Sequence, residues 1–97
     1  MATEHLYLVT YDVSDPKRLR RVFRTLRGYG DWVQFSVFQC RLGPLRHRRL
    51  ITELSSLIHQ KEDQVLIFPL GPVKSTPVRV ASIGRAFEPI SREPVII

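Results

Sequence analysis

Leu6-Tyr7-Leu8-Val9-Thr10-Tyr11-Asp12-Val13-Ser14-Asp15-Pro16 is the stretch that decides the fold of this chain. Leu6 to Val13 is rich in β-formers and carries a single charge, at Asp12, so it reads as a strand largely buried on both faces. Asp15 then supplies a side-chain cap, and Pro16 suits the first helical position, where its missing N–H would have no partner anyway. Leu19, Val22, Phe23 and Leu26 follow at i, i+3, i+4 and i+7, the apolar stripe of an amphipathic helix. Lys17, Arg18, Arg20, Arg21, Arg24 and Arg27 fill the rest of its circumference, and residues 16–30 contain no acid. Gly28 and Gly30 predict the helix stop.

Beyond that helix, Trp32 to Leu42 is a β-type run unbroken by Gly or Pro. Val33, Phe35 and Val37 share one face, and Trp32, Gln34, Ser36 and Phe38 the other. The pattern is compatible with one bent strand or with two strands joined near Ser36. Gly43-Pro44 opens a second helix whose expected buried face is Leu50, Ile51, Leu54, Leu57 and Ile58. Gln64–Leu70 and Val78–Ile83 read as further strands around a loop at Gly71-Pro72 and Pro77. Strands and helices in this order predict an α+β fold, a ferredoxin-like βαββαβ sandwich with two helices on one face of an antiparallel sheet. The tail, residues 88–97, ends in Val95-Ile96-Ile97 and either frays or adds a strand to a sheet edge, with a partner subunit's sheet as the favoured acceptor.

A chain of 97 residues has room for one domain and one core. A core this small is commonly enlarged by a second copy, so a homodimer is expected. Apolar residues at 43% exclude wholesale disorder. Lys and Arg number 15 against 9 Asp and Glu, a net charge of +6. The excess is concentrated in the first helix and in Arg41, Arg46, Arg48 and Arg49 beside His47. Either cluster alone also reads as a solvated helix face, but two in one small domain indicate a polyanionic partner bound in a salt-dependent way. The lone Cys40 excludes an internal disulfide or a cysteine metal site and suits a small buried position. No basic leader and no apolar run of roughly 20 residues is present, so the expected location is cytoplasmic, with no membrane partner.

Taken together, Tyr7-Leu8-Val9-Thr10-Tyr11-Asp12-Val13, the basic helix and Val33-Gln34-Phe35-Ser36-Val37-Phe38 resemble CRISPR-associated protein two, the small adaptation protein that accompanies the CRISPR spacer integrase. The second helix and Gln64-Val65-Leu66-Ile67-Phe68 fit as well, so the likeness covers nearly the whole chain. The resemblance implies a homodimer with the C-terminal strand added across its interface, metal-dependent endonuclease activity on RNA or DNA, and assembly with the integrase to hold and insert spacer DNA. It places the metal-binding aspartate on Asp12 with Tyr11 beside it, and the Ser-Val-Phe motif on Ser36, Val37 and Phe38. Its basic helix residues fall most naturally on Arg18 and Arg21. The chain departs from the pattern at Gln39, where an acidic residue is frequent, and at Trp32, where a basic one is.

Mg2+ takes oxygen ligands, retains waters, and is often held by one or two carboxylates plus substrate phosphates. Asp12, at the end of an apolar strand, is the candidate metal ligand and catalytic residue, doubled by a twofold axis. Asp15 is already accounted for as a helix cap. Tyr11 suits orienting a phosphate or water and equally suits a core or interface position. Ser36 and Phe38 read as supporting or interface residues. His5, His47 and His59 lack ligand spacing. Three functions follow: an Mg2+-dependent endonuclease built on paired Asp12, a non-catalytic adaptor gripping DNA for the integrase, and a single-strand RNA-binding module stacking bases on aromatics.

Overall fold

The computed structural model describes residues 3–77 and 79–87. Strand β1 (His5–Asp12) leads into helix α1 (Pro16–Arg27), followed by β2 (Gly30–Gln34), β3 (Val37–Leu42), helix α2 (Pro44–Leu57) and β4 (Gln64–Pro72). The strands form one antiparallel sheet in the order β2-β3-β1-β4. Both helices cover the same face, giving the ferredoxin-like α+β sandwich read from the sequence.

Alternation along β1 determines what each face presents. Val9 and Tyr11 point toward the helices and, with Val13, meet Val22 and Leu26 of α1, Phe38, Cys40 and Leu42 of β3, and Leu50 and Leu54 of α2. Burying each large apolar side chain in this cluster contributes roughly 1.5–3 kcal/mol, which holds helices and sheet together. Cys40 is fully buried among them. The opposite face is partly open: Leu8 and Thr10 lie beside Phe68 and Leu66 of β4, which are 45% and 42% exposed. The expected burial of β1 on both faces is therefore met at Val9 and Tyr11 on the helix side, whereas Leu8 and Thr10 on the other are only partly buried.

The cap of α1 forms as the sequence predicts, with the Arg18 backbone N–H donating to Asp15 Oδ2 at 2.9 Å. Its stop differs. Gly28 alone ends the helix, in a right-handed conformation, and Gly30 begins β2. Glycine is required there because a Cβ would lie 2.4 Å from the Gln39 carbonyl oxygen and 2.6 Å from Cys40 Sγ. Gly30→Ala should lower stability by roughly 1–3 kcal/mol, measured by urea unfolding, because the clash is with backbone that cannot swing aside.

Residues 32–42 are not one bent strand. β2 and β3 form a hairpin turning at Phe35-Ser36, and β2 starts two residues earlier than its apolar run because Gly30 and Asp31 pair with Cys40 and Gln39. A register shift between Trp32 and Gln34 ends the simple alternation, yet Trp32 and Phe38 still share the helix-side face, where both rings contact Phe23. In α2, Leu50 and Leu54 are buried as expected, whereas Ile51 is 42% exposed beside Val65 and Ile67 of β4, the outermost strand among the described residues. β4 runs on to Pro72, with a bulge opposite Leu6/Tyr7. The strand expected over Val78–Ile83 is not seen: its described residues, 79–83, are in no strand, and Ile83 is fully exposed. Beyond β4 the apolar pattern has no sheet neighbour to pair with among the described residues, so propensity alone does not make a strand. The tail predicted to join a partner's sheet, 88–97, lies outside the described residues.

Candidate functional site

Asp12 is the last residue of β1, exposed, and paired in register with Gln64 at the start of β4. It follows Leu8 and Thr10 on the open face of the sheet. Tyr11 points the other way. Its ring is buried 6.3 Å from that of Phe38, and its hydroxyl is hydrogen-bonded to the Ser36 side chain. The Tyr11 backbone N–H also donates to the Ser36 carbonyl oxygen at 3.1 Å, tying the end of β1 to the β2–β3 turn. Burial raises the Tyr11 pKa and the hydrogen bond to Ser36 opposes it, so the phenol stays protonated at neutral pH. Tyr11 and Asp12 are thus neighbours in sequence on opposite sides of the sheet, and Tyr11, Ser36 and Phe38 form one group on the helix side.

Among the described residues no three His, Cys, Asp or Glu side chains gather as a metal site. The open face carries Asp12 at the end of β1 and, two strands away, Asp31 of β2, in register with Gln39 and Leu8. The exposed Asp12 carboxylate is the donor type taken by a cation that uses one or two carboxylates completed by waters and phosphate oxygens.

What holds the Asp12 end of β1 in place is Asp63, a residue sequence reading passed over. Its side chain is fully buried, and it receives Arg18 Nε at 2.8 Å, Arg18 Nη2 at 3.3 Å, the His59 backbone N–H at 2.8 Å and the Ser14 backbone N–H. Arg18 also reaches Glu62 at 3.1 Å. The partners are 45 residues apart, so no local signal marks them. Ser14 follows Asp12 by two residues and Gln64 pairs with it, so this cluster sets the path of the chain on both sides of the candidate carboxylate.

The Arg18 guanidinium, and then the His59 N–H, hold the Asp63 carboxyl below its ordinary pKa despite burial. A depressed carboxyl stabilises the fold above its unfolded pKa, roughly 3.9, and that contribution is lost as pH falls through the folded value. Thermal melts of the wild type should therefore decline steeply below about pH 4. Asp63→Asn should melt several degrees lower at neutral pH, about 5 °C or more, with a flatter acid limb.

The remaining helix cations behave differently from Arg18. Lys17, Arg20, Arg21, Arg24 and Arg27 are exposed along α1. Arg27 lies 5.9 Å from the Phe23 ring centroid. In the second basic cluster, Arg46 is engaged within the fold, donating to the Gly28 carbonyl oxygen at 2.9 Å and stacking over Tyr29 at 4.7 Å. His47 stacks on Tyr7 with ring centroids 4.4 Å apart, and His59 Nδ1 accepts from the Lys61 and Glu62 N–H groups. Both are accounted for within the fold. Among the described residues no helix is long and apolar enough to cross a membrane.

With the geometry in hand, the chain can be placed beside known proteins. Residues 5–76 match the family model for CRISPR associated protein Cas2. A CRISPR-associated endoribonuclease Cas2 1 of Rhodospirillum rubrum is 50% identical over 94 residues, 97% of this chain and 92% of that protein. A CRISPR-associated endoribonuclease Cas2 of Geobacter sulfurreducens is 45% identical over 97% of this chain and 99% of its own length. Among solved structures, Streptococcus pyogenes Cas2 superposes with a TM-score of 0.72 at 37% identity, covering 81% of this chain and 99% of that one.

Proposed function

The chain belongs to the Cas2 family of CRISPR-associated proteins, and from that premise we propose that it is a divalent-cation-dependent endoribonuclease whose site is a pair of Asp12 carboxylates brought together in a homodimer. The observation that carries this reading is the position of Asp12: an exposed carboxylate bordering an open sheet face on which Leu8, Leu66 and Phe68 present apolar surface. A contiguous apolar face is costly to leave in water. A twofold axis through it would cover that surface and set two copies of Asp12 on one seam.

Bound Mg2+ would supply Lewis acidity toward the phosphodiester and a lowered pKa for an attacking water. The chain's own residues hold and orient. Asp12 provides the anionic oxygens. Asp63 and Arg18 fix the backbone that carries Asp12 and are positioning residues. Tyr11, held protonated on the other side of the sheet, anchors the strand end to the Ser36 turn. Lys17, Arg20, Arg21, Arg24 and Arg27 hold phosphates of the RNA on either side of the cleaved linkage, giving binding a marked salt dependence. The relatives' names favour RNA as the substrate. In this reading the protein works in the cytoplasm, and the tail, residues 88–97, adds to the partner subunit's sheet.

A second reading is a non-catalytic adaptor that grips nucleic acid for the spacer integrase. The separation of Tyr11 from Asp12 across the sheet favours it, because Tyr11 is then not placed to orient a phosphate or water beside Asp12. Cleavage of a single-stranded RNA with and without Mg2+, wild type beside Asp12→Ala, decides between the two.

A further inference from the structure

A groove of about 560 Å³ lies between α1 and the β2–β3 turn, on the helix side of the sheet and away from the open face that carries Asp12. This volume is ordinary for a small-ligand site. Tyr11 and Ser36 line it with hydroxyls already joined to each other. Leu19, Phe23 and Phe35 give it apolar walls. Arg20, Arg24 and Arg27 border it along the helix.

Phe35 is the anomalous member. It is 82% exposed and has φ +40°, a left-handed conformation that a bulky side chain adopts only under strain. A two-residue hairpin turn ordinarily places Asn or Gly here. The conformation is held from behind, the Trp32 indole N–H donating to the Phe35 carbonyl oxygen at 2.8 Å. The fold therefore keeps a flat aromatic face at the groove in a conformation that Gly would adopt more easily, and recovers little by packing it.

We infer that this groove is a subsite for one unpaired nucleotide, its base stacked on Phe35 against the Phe23 side and its flanking phosphates held by Arg20, Arg24 and Arg27. Flat aromatic, hydroxyl and guanidinium groups together match the apolar face, polar edge and charged backbone of a nucleotide. Leu19 belongs to the same argument. It carries on the α1 apolar stripe, yet is 36% exposed because it faces the groove rather than the core. The subsite rests on the reading of the chain as acting on nucleic acid, but not on Asp12 or on a metal.

The test is binding of a single-stranded RNA of about ten nucleotides, carrying 2-aminopurine at its centre, to the full chain in EDTA. Phe35→Ala should weaken binding roughly tenfold and remove the stacking-induced quench, while binding of a duplex RNA of equal length changes less than about twofold. Phe35→Trp should retain single-strand binding. Phe35→Gly should lose it while leaving the melting temperature unchanged or raised, which a role in folding would not produce. Equal losses on single strand and duplex, or no loss on the single strand while removal of the α1 charges still weakens it, would overturn the subsite and leave the broader reading intact. Failure of the wild type to bind either RNA would remove both.

Discussion

Asp12→Ala is expected to lower Mg2+-dependent cleavage of single-stranded RNA by more than about a hundredfold while leaving RNA affinity within about twofold. The reasoning is local. Asp12 is exposed at the strand end and lies outside the buried core cluster, so truncating it should change stability by no more than about 0.5 kcal/mol. On the proposed reading, what it removes is the anionic oxygen set that would hold the cation. Asp12→Asn should be nearly as inactive, because the amide keeps the shape but loses the charge a divalent cation requires. Unchanged melting, retained binding and lost cleavage together distinguish a site residue from a structural one. If the activity survived the substitution, the cutting would have to come from another site or another protein.

The second large effect belongs to α1. Replacing Arg20, Arg21 and Arg24 together by Glu should weaken RNA binding by at least about a hundredfold near 0.1 M salt. It should also flatten the dependence of log affinity on log salt by about 2, since each phosphate contact on a single strand contributes roughly 0.7 to the slope. Filter binding or anisotropy across a salt series reads both quantities. Arg18→Gln offers the contrast. Arg18 lies on the same helix, but it is bound to Asp63 at 2.8 Å and to Glu62 at 3.1 Å. Its loss should show first in the melting temperature and only weakly in the salt slope. Equal salt-slope losses for Arg18 and for the exposed arginines would contradict this division of labour.

The contrast also indicates how far the sequence could be read. The apolar strand, the Asp15-Pro16 cap and the stripe ending at Leu26 are local features, set by propensity and period, and they are where the structure puts them. Asp12 and the cationic helix were visible for the same reason, as residue types breaking an apolar pattern. The hairpin at Phe35-Ser36 was less legible because its turn uses a strained Phe where the expected signal is Asn or Gly. Asp63 was invisible, since its burial depends on an arginine 45 residues away that reads, on its helix, like any other phosphate-binding cation. The opposed directions of Tyr11 and Asp12 follow from strand alternation. Resemblance grouped the two as a site, whereas geometry assigns them to different faces.

The proposed pairing of Asp12 across a dimer is tested directly by mixing. Wild type and Asp12→Ala protein, unfolded together at equal concentration and refolded, would distribute at random among the dimers. If each site needs both carboxylates, cleavage falls to about one quarter of the all-wild-type value at the same total protein. A value near one half would mean that each Asp12 works alone, and would contradict the paired site.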